Sequence, residues 1–195
     1  MKLRWAFVPL VLVGAYQFWD GQASSWPAGV VVAEEPRQEM LDGISVLKKN
    51  GYRVTPLASF DIKARVVLAK TYWFDRESDL SPVDLVLAWG PMSDGRILKH
   101  FGFRQSGRFY YWWTNSLPLS REIIESHSAN MHLIPANRAV EKGLKSVRPG
   151  NVVQLKGYLV EVNAGDGWRW KSSLTRTDAG AGACEIIWVE SLEVN

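Results

Sequence analysis

The chain has 195 residues, of which 47% are hydrophobic and 22% charged, and its formal net charge is +3 at pH 7. Lys2 and Arg4 supply two of the positive charges, so the rest of the chain carries 21 basic against 20 acidic side chains. Such a nearly neutral body argues against a nucleic-acid binder, which normally carries a basic excess. One cysteine, Cys184, excludes an intrachain disulfide, so a hydrophobic core must stabilise the fold.

The N-terminal residues have the pattern of a segment handled by the export machinery. Lys2 and Arg4 precede an uncharged run from Trp5 to Trp19, which Asp20 closes. The run is short for a membrane span, but aromatic residues at both of its ends are typical of a membrane interface. The pattern therefore predicts a single membrane-associated segment at the start of the chain.

This segment divides the chain into an anchor over residues 1–20, a spacer over 21–36 and an exported globular domain over 37–195. The positive-inside rule predicts a single-pass protein of a bacterial inner membrane, with its C-terminal domain in the periplasm. The alternative is a signal peptide cleaved after Ala23, which would release the domain into the periplasm. A third interpretation is an N-terminal helix buried in a soluble protein.

The first half of the exported part is predicted to form strands and one short helix. Asn50-Gly51 indicates a hairpin between Ile44–Lys48 and Tyr52–Leu57. Phe60–Phe74 alternates well enough to predict one long strand. Ser81–Trp89 predicts a short apolar helix, because a serine cap followed by proline is typical of a helix start.

The second half continues with a hairpin, two helices and a strand. Ser106-Gly107 indicates a hairpin between Ile97–Gln105 and Arg108–Thr114, and its return strand is aromatic from Phe109 to Trp113. The remaining predicted elements are a helix over Leu119–Glu125, a strand over Met131–Ile134 and a helix over Ala136–Val147 with Asn137 as a candidate cap.

The C-terminal block has the clearest strand pattern. A turn at Arg148–Asn151 precedes strands at Val152–Val162, Trp168–Leu174 and Glu185–Val194, with Gly157 at a bend or bulge. This order is typical of a small closed β-barrel of the OB or SH3-like type, here expected over residues 148–195. The sequence thus predicts an α+β fold that is mainly antiparallel β, with a few short helices.

The first candidate site is catalytic and uses His127, His132 and Cys184. An imidazole lowers the pKa of a neighbouring thiol, and the thiolate is the attacking species. Two histidines could also ligate a metal with Cys184, Asp178 or Glu185 as a third ligand. Their spacing matches no zinc signature, so we expect neither a metal nor another cofactor. The structural alternative is hydrogen-bonded histidines and a buried, inert cysteine.

The second candidate site is a binding surface. Two segments could supply it, an aromatic strand and a hydroxyl-rich loop, with the candidate residues Tyr110, Trp112, Ser172, Ser173, Arg176 and Asp178. Structurally, Arg176 and Asp178 could instead pair and stabilise the loop. The expected function is a non-catalytic, membrane-tethered envelope module that contacts a protein partner or cell-wall material. The alternative is an envelope hydrolase, thiol- or metal-dependent, that uses the two histidines and Cys184.

Four acidic side chains cluster between residues 75 and 84 without forming a recognisable metal loop. Asp75, Glu77, Asp79 and Asp84 lack the Asp-x-Asp-x-Asp-Gly order of a calcium loop. We therefore interpret them as solvated and capping residues.

Three segments carry a resemblance: Asp79–Gly90, Ser126–Asn137 and Trp170–Glu185. They resemble those of a group of uncharacterised proteobacterial envelope proteins, which are short single-pass proteins with one exported domain. The resemblance covers most of the exported part. It implies a retained membrane anchor, and it implies no established activity.

Overall fold

A computed structural model of the protein describes residues 26–43, 45–175 and 184–195. The fold is mostly antiparallel β-sheet with a few short helices, as the α+β prediction required. The strands are β1 (Arg37–Met40), β2 (Leu47–Lys49), β3 (Tyr52–Thr71), β4 (Val83–Ala88), β5 (Phe101–Ser106), β6 (Phe109–Thr114), β7 (Ser128–Pro135), β8 (Val152–Asn163), β9 (Arg169–Lys171) and β10 (Glu185–Val194). The α-helices are α1 (Gly95–Leu98), α2 (Arg121–Ser126) and α3 (Arg138–Ser146), and Arg76–Asp79 and Gly90–Ser93 form 3₁₀ turns.

The predicted anchor over residues 1–20 lies outside the described residues. Within the described ranges, no helix has the length and apolar character needed to cross a membrane.

Strand β3 is the longest element of the fold, with 20 residues, and it pairs with β1, β2, β4 and β8. The sequence predicted two strands here, separated near residues 58 and 59. The structure joins them, and a register shift between Pro56 and Ala58 marks the irregularity in the ladder with β8. A bulge of this kind bends a strand without ending it. The hairpin predicted at Asn50-Gly51 is confirmed, with Leu47–Lys49 paired to the start of β3.

Five strands pair in a circuit that returns to its starting strand. β3 pairs with β4, β4 with β7, β7 with β10, β10 with β8, and β8 again with β3. The β7–β10 pair is parallel and the other four are antiparallel. The strands of the segment 148–195 therefore find many of their partners in β3 and β7, which lie earlier in the chain.

The main hydrophobic core lies between these five strands and is closed by α3. Alternate residues of each strand enter it, as expected for strands with one buried face. Val140 and Leu144 of α3 join the same core. Asn137 begins this helix, and its side chain accepts hydrogen bonds from the backbone N–H groups of Ala139 and Val140. The predicted helix and its cap are thus confirmed.

The helix predicted over Ser81–Trp89 is wrong, because Val83–Ala88 forms strand β4 instead. All six residues of the strand are buried, with one face towards the main core and the other against the hairpin described next. A short strand buried on both faces reads as a continuous apolar run, and periodicity cannot separate such a run from a buried helix.

The aromatic hairpin formed by β5 and β6 is inserted in the chain between β4 and β7. It forms a separate two-stranded sheet, which confirms the predicted hairpin, and it turns at Gly107 and Arg108, one residue later than the predicted Ser106-Gly107 turn. Phe101, Phe103, Tyr110 and Trp112 pack with Val86 and Met92 in a second apolar cluster outside the main core. The hairpin therefore covers part of the outer surface of β4 and β7.

Candidate functional site

A buried ion pair lies on the side of β4 and β7 that faces away from the main core. Asp84 and His132 are directly opposite each other in the antiparallel ladder, with exposed fractions of 0% and 3%. His132 Nδ1 lies 3.0 Å from Asp84 Oδ2. Within the described ranges, neither atom has a hydrogen bond of regular geometry, so the contact between them is a close ion pair. The carboxylate therefore fixes the orientation of the imidazole, as carboxylates do in acid–base sites.

The same carboxylate also holds the tip of the hairpin. Arg108, which has a left-handed backbone conformation with φ of 64°, donates from Nη1 to Asp84 Oδ1 over 2.9 Å. Its Nε and Nη2 atoms donate to the two carboxylate oxygens of Asp75 over 2.8 and 2.7 Å. The guanidinium also stacks 4.0 Å from the centroid of the Tyr72 ring. The interpretation of Asp84 as a solvated or capping residue is therefore wrong, because a buried strand places it against two cationic side chains.

Cys184 approaches the same imidazole immediately before β10. Its side chain forms a hydrogen bond with that of His132, and the residue is partly exposed. The Cys184 carbonyl accepts a hydrogen bond from Ser173 N over 3.1 Å. The Trp170 ring covers the imidazole with its centroid 4.9 Å away. The structure thus brings a thiol, an imidazole and a carboxylate together in one row.

Burial and charge act on His132 in opposite directions. Burial by itself lowers the pKa of the imidazole, but the hydrogen bonds and charges of Asp84 and Cys184 outweigh it and raise the pKa to about 9. The imidazole is therefore largely protonated at neutral pH. It provides a proton close to the Cys184 sulfur.

His127 lies in a different environment from His132, and the structure does not bring the two histidines together. Its Nδ1 lies 2.9 Å from the Ile123 carbonyl, and its Nε2 lies 3.1 Å from a carboxylate oxygen of Glu35. Five residues of extended chain separate the two histidines by roughly 17 Å. His127 is thus a hydrogen-bonded residue between α2 and β7, and Cys184 contacts only His132 of the two.

The two histidines also share no metal site. Among the residues that the structure describes, no three histidine, cysteine, aspartate or glutamate side chains are grouped in a way that could hold a metal ion. Of the proposed third ligands, Glu185 is buried at the start of β10, while Asp178 lies outside the described residues.

The aromatic hairpin exposes a different set of side chains from the predicted one. Tyr110 and Trp112 face inwards and pack in the cluster with Val86. Phe109, Tyr111 and Trp113 face outwards, with exposed fractions of 42%, 47% and 56%. Successive residues of a strand point to opposite faces, so a prediction that is wrong by one residue selects the side chains of the opposite face. Tyr110 and Trp112 therefore pack against the fold, and the alternate residues of the same strand form the exposed surface.

Polar contacts on the inner face hold the hairpin against β7. Tyr110 Oη and Ser128 Oγ lie 2.9 Å apart, and Asn130 Nδ2 donates to the Arg108 carbonyl over 3.0 Å. Gln105 Nε2 donates to Asn130 Oδ1 over 2.7 Å. These contacts fix the orientation of the hairpin, so its exposed aromatic face is presented on a supported element.

The predicted loop residues are partly explained as structural. Ser172 Oγ accepts a hydrogen bond from Ile186 N over 3.0 Å, and Ser173 Oγ accepts one from Thr175 N over 3.1 Å. Both serines are buried and link this segment to the start of β10. Arg176 and Asp178 lie outside the described residues.

Comparison with known proteins gives no relative: the chain matches no protein-family model, no curated protein and no solved structure.

Sequence reasoning missed two residues of the site, Asp84 and Arg108. The signal for Asp84 was a charged residue inside the apolar run Val83–Ala88, where a buried charge requires a partner. Arg108 follows the hairpin glycine, and nothing in its local sequence indicates the direction of its side chain.

Proposed function

We propose that the protein is a membrane-tethered envelope module that binds cell-wall glycan. The contact surface is the aromatic platform, defined as the outward side chains of Phe109, Tyr111 and Trp113 together with Arg104. The observation that carries this proposal is the exposure of three large aromatic side chains on one face of a firmly held hairpin. Exposed apolar patches of this kind are typical of interaction sites.

The strand pairing supports a barrel of the OB type as the scaffold. In chain order, the five paired strands are β3, β4, β7, β8 and β10. The third and fifth of them are parallel neighbours, and the fourth pairs with the first. OB barrels bind oligosaccharides and oligonucleotides on the face of their second and third strands. Here those strands are β4 and β7, whose outer surface carries the hairpin.

Glycan is the occupant that the chemistry of the platform favours. Alternate residues of a strand lie about 7 Å apart, so the three rings form a ladder along one direction. Sugar rings present flat faces of C–H groups, which stack on aromatic rings along an extended chain. The Arg104 guanidinium lies 5.6 Å from the centroid of the Tyr111 ring and adds a hydrogen-bond donor beside it. Nucleic acid is disfavoured because the body of the chain is nearly neutral.

The proposal is tested by co-sedimentation of the purified protein with isolated peptidoglycan sacculi. We expect the wild-type protein to sediment with the sacculi and the double variant Tyr111→Ala/Trp113→Ala to remain in solution. Phe74 is fully exposed outside the platform, so Phe74→Ala is the matched control and should sediment like the wild type. Because both sites are exposed, circular dichroism should show that all variants are folded.

Two outcomes would reject the glycan proposal. One is a wild-type protein that does not sediment with sacculi, and the other is a double variant that sediments as well as the wild type. If the wild-type protein instead captures an envelope protein, and the double variant does not, the platform is a protein-docking surface. That result would also replace the glycan proposal.

A further inference from the structure

We propose that Cys184, His132 and Asp84 form a thiol site that accepts an acyl group from an ester or thioester. Cys184 is the nucleophile, the His132 imidazole transfers the proton, and Asp84 is the positioning residue. This activity goes beyond glycan binding and does not depend on it, because none of the three residues belongs to the aromatic platform.

The geometry that carries the proposal is the order of the three side chains. The imidazole lies between the thiol, to which it is hydrogen-bonded, and the carboxylate, 3.0 Å from its Nδ1. This nucleophile–base–orienting group order defines thiol and serine acyl-transfer sites on unrelated folds. Asp84 is also fixed by Arg108, so the carboxylate cannot turn away without breaking a second ion pair.

Partial exposure distinguishes Cys184 from an inert core cysteine. Asp84 and His132 are almost completely buried, whereas Cys184 retains contact with solvent at the start of β10. The charged partners are therefore shielded from water, whereas the residue that carries the thiol is only partly buried. Reactive cysteines are found in partly exposed positions beside cationic groups.

Acyl transfer fits this site better than thiol–disulfide exchange. The chain has one cysteine in its 195 residues, so no second thiol within the chain could resolve a mixed disulfide. A Cys–His pair needs only water as co-reactant to complete a hydrolytic cycle.

The proposed reaction balances in two steps. The step starts from the neutral imidazole, which forms as the pH rises towards the raised pKa of His132. The thiol proton passes to this neutral imidazole, and the sulfur attacks the carbonyl carbon of the acyl donor. The bond to the leaving group then breaks, and the leaving group takes the proton from His132, which leaves a thioester on Cys184. In the second step His132 removes a proton from water, the hydroxide attacks the thioester, and the sulfur leaves and regains a proton.

The first test uses p-nitrophenyl acetate and the full-length protein in detergent. We expect one equivalent of nitrophenolate to be released in a burst, with one acetyl group on Cys184 by peptide mass spectrometry. Since the chain has a single cysteine, a thiol adduct can be assigned without ambiguity. Cys184→Ser should give no burst. The absence of an acetyl group on Cys184 in the wild-type protein would overturn the proposal.

A matched pair of histidine variants tests the role of the imidazole. We expect His132→Gln to slow acetylation about 100-fold, the lower end of a general acid–base contribution, while His127→Gln acts as the wild type. Equal rates in the wild type and His132→Gln would contradict the proposal. If His132→Gln fails to fold, the wild-type protein can be compared in buffer and in urea. If the native protein were acetylated no faster than the unfolded chain, that result would also contradict the proposal.

The positioning role of Asp84 requires a readout that a structural role alone would not change. We expect Asp84→Asn to shift the pH–rate profile of acetylation to lower pH, because the imidazole loses its anionic partner. The ionisable groups that act on His132 are Asp84 and Cys184, and Asp84 is in turn paired with Arg108. A folded variant with an unchanged profile would exclude Asp84 from this role. Sedimentation of Cys184→Ser with sacculi tests glycan binding separately.

Discussion

Asp84 joins Arg108 and His132 through its two separate oxygens. Oδ1 accepts from Arg108 Nη1 over 2.9 Å, and Oδ2 lies 3.0 Å from His132 Nδ1. One buried carboxylate therefore supports both the hairpin that carries the aromatic platform and the imidazole beside Cys184. Removing a charge from this group affects two regions of the protein at once.

The first prediction concerns the contribution of the Arg108 contacts to stability. We expect Arg108→Met to lower the free energy of unfolding by about 3–5 kcal/mol, because it leaves the Asp84 carboxylate buried without its guanidinium partner. Arg37→Met is the matched control, since Arg37 is mostly exposed and pairs with Asp61 on the surface. Urea denaturation measures both variants. Equal stability of Arg108→Met and the wild type would show that the ion pair does not support the fold.

The second prediction concerns the pH dependence of stability. The pKa of His132 is about 9 in the folded protein and 6.5 in the unfolded chain, so the folded state binds the proton more tightly. This stabilisation is complete below about pH 6.5 and is lost as the pH rises towards 9. We expect it to amount to roughly 3 kcal/mol.

Urea denaturation between pH 6 and 9 tests the second prediction with His132→Gln as the comparison. The wild-type protein should lose stability steadily across this range, while the variant should be less stable at pH 6 and change less. A wild-type curve parallel to that of the variant would contradict the raised pKa of His132. Tyr72 and Tyr110 do not interfere, because burial raises both of their pKa values above this range.

Neighbouring tyrosines of β6 provide the third prediction. Tyr110 packs inwards and its hydroxyl pairs with Ser128, so Tyr110→Ala should cost about 3–5 kcal/mol of stability. Tyr111 faces solvent, and we expect Tyr111→Ala to leave the melting temperature nearly unchanged. Calorimetry of the two variants checks the orientation of the strand. A larger loss of stability from Tyr111→Ala than from Tyr110→Ala would mean that Tyr111 faces inwards and Tyr110 faces solvent.

The fourth prediction compares substitutions at two glycines, one closely packed and one in open space. A Cβ atom at Gly157 would overlap the Trp188 carbonyl oxygen, where β8 passes close to β10 beside a register shift. Since backbone cannot move aside easily, we expect Gly157→Ala to cost about 3 kcal/mol or more. Gly165→Ala places its Cβ in open space and should be neutral or slightly stabilising. Thermal unfolding of the two variants distinguishes them, and equal melting temperatures would contradict the close approach of β8 and β10.

Local sequence signals predicted much of the fold correctly. The Asn50-Gly51 turn, the hairpin around Gly107, the Asn137 cap and strand Glu185–Val194 were each indicated by residues within a few positions. Strand β4 was mistaken for a helix because its neighbours across the sheet, which bury both of its faces, are distant in sequence. The pairing of β8 with β3 was not predictable for the same reason.

The candidate site was only partly predictable. Sequence spacing placed Cys184 among the possible partners of both histidines, and the structure selects His132 because parallel pairing of β7 and β10 sets Ile186 opposite it. Asp84 and Arg108 join the site through cross-strand register and the direction of a hairpin, which no local pattern encodes. Likewise, the aromatic strand was recognised, but the face that it exposes depends on its packing against Val86 and Met92.

The most direct measurement of the central claim is the affinity of the protein for soluble peptidoglycan glycan strands by isothermal titration calorimetry. The platform variant Tyr111→Ala/Trp113→Ala should bind at least tenfold more weakly than the wild type, since exposed aromatic anchors of this kind carry most of the binding energy. The control variant Phe74→Ala should retain wild-type affinity. Equal affinities for the wild type and the platform variant, or no binding by either, would contradict the account.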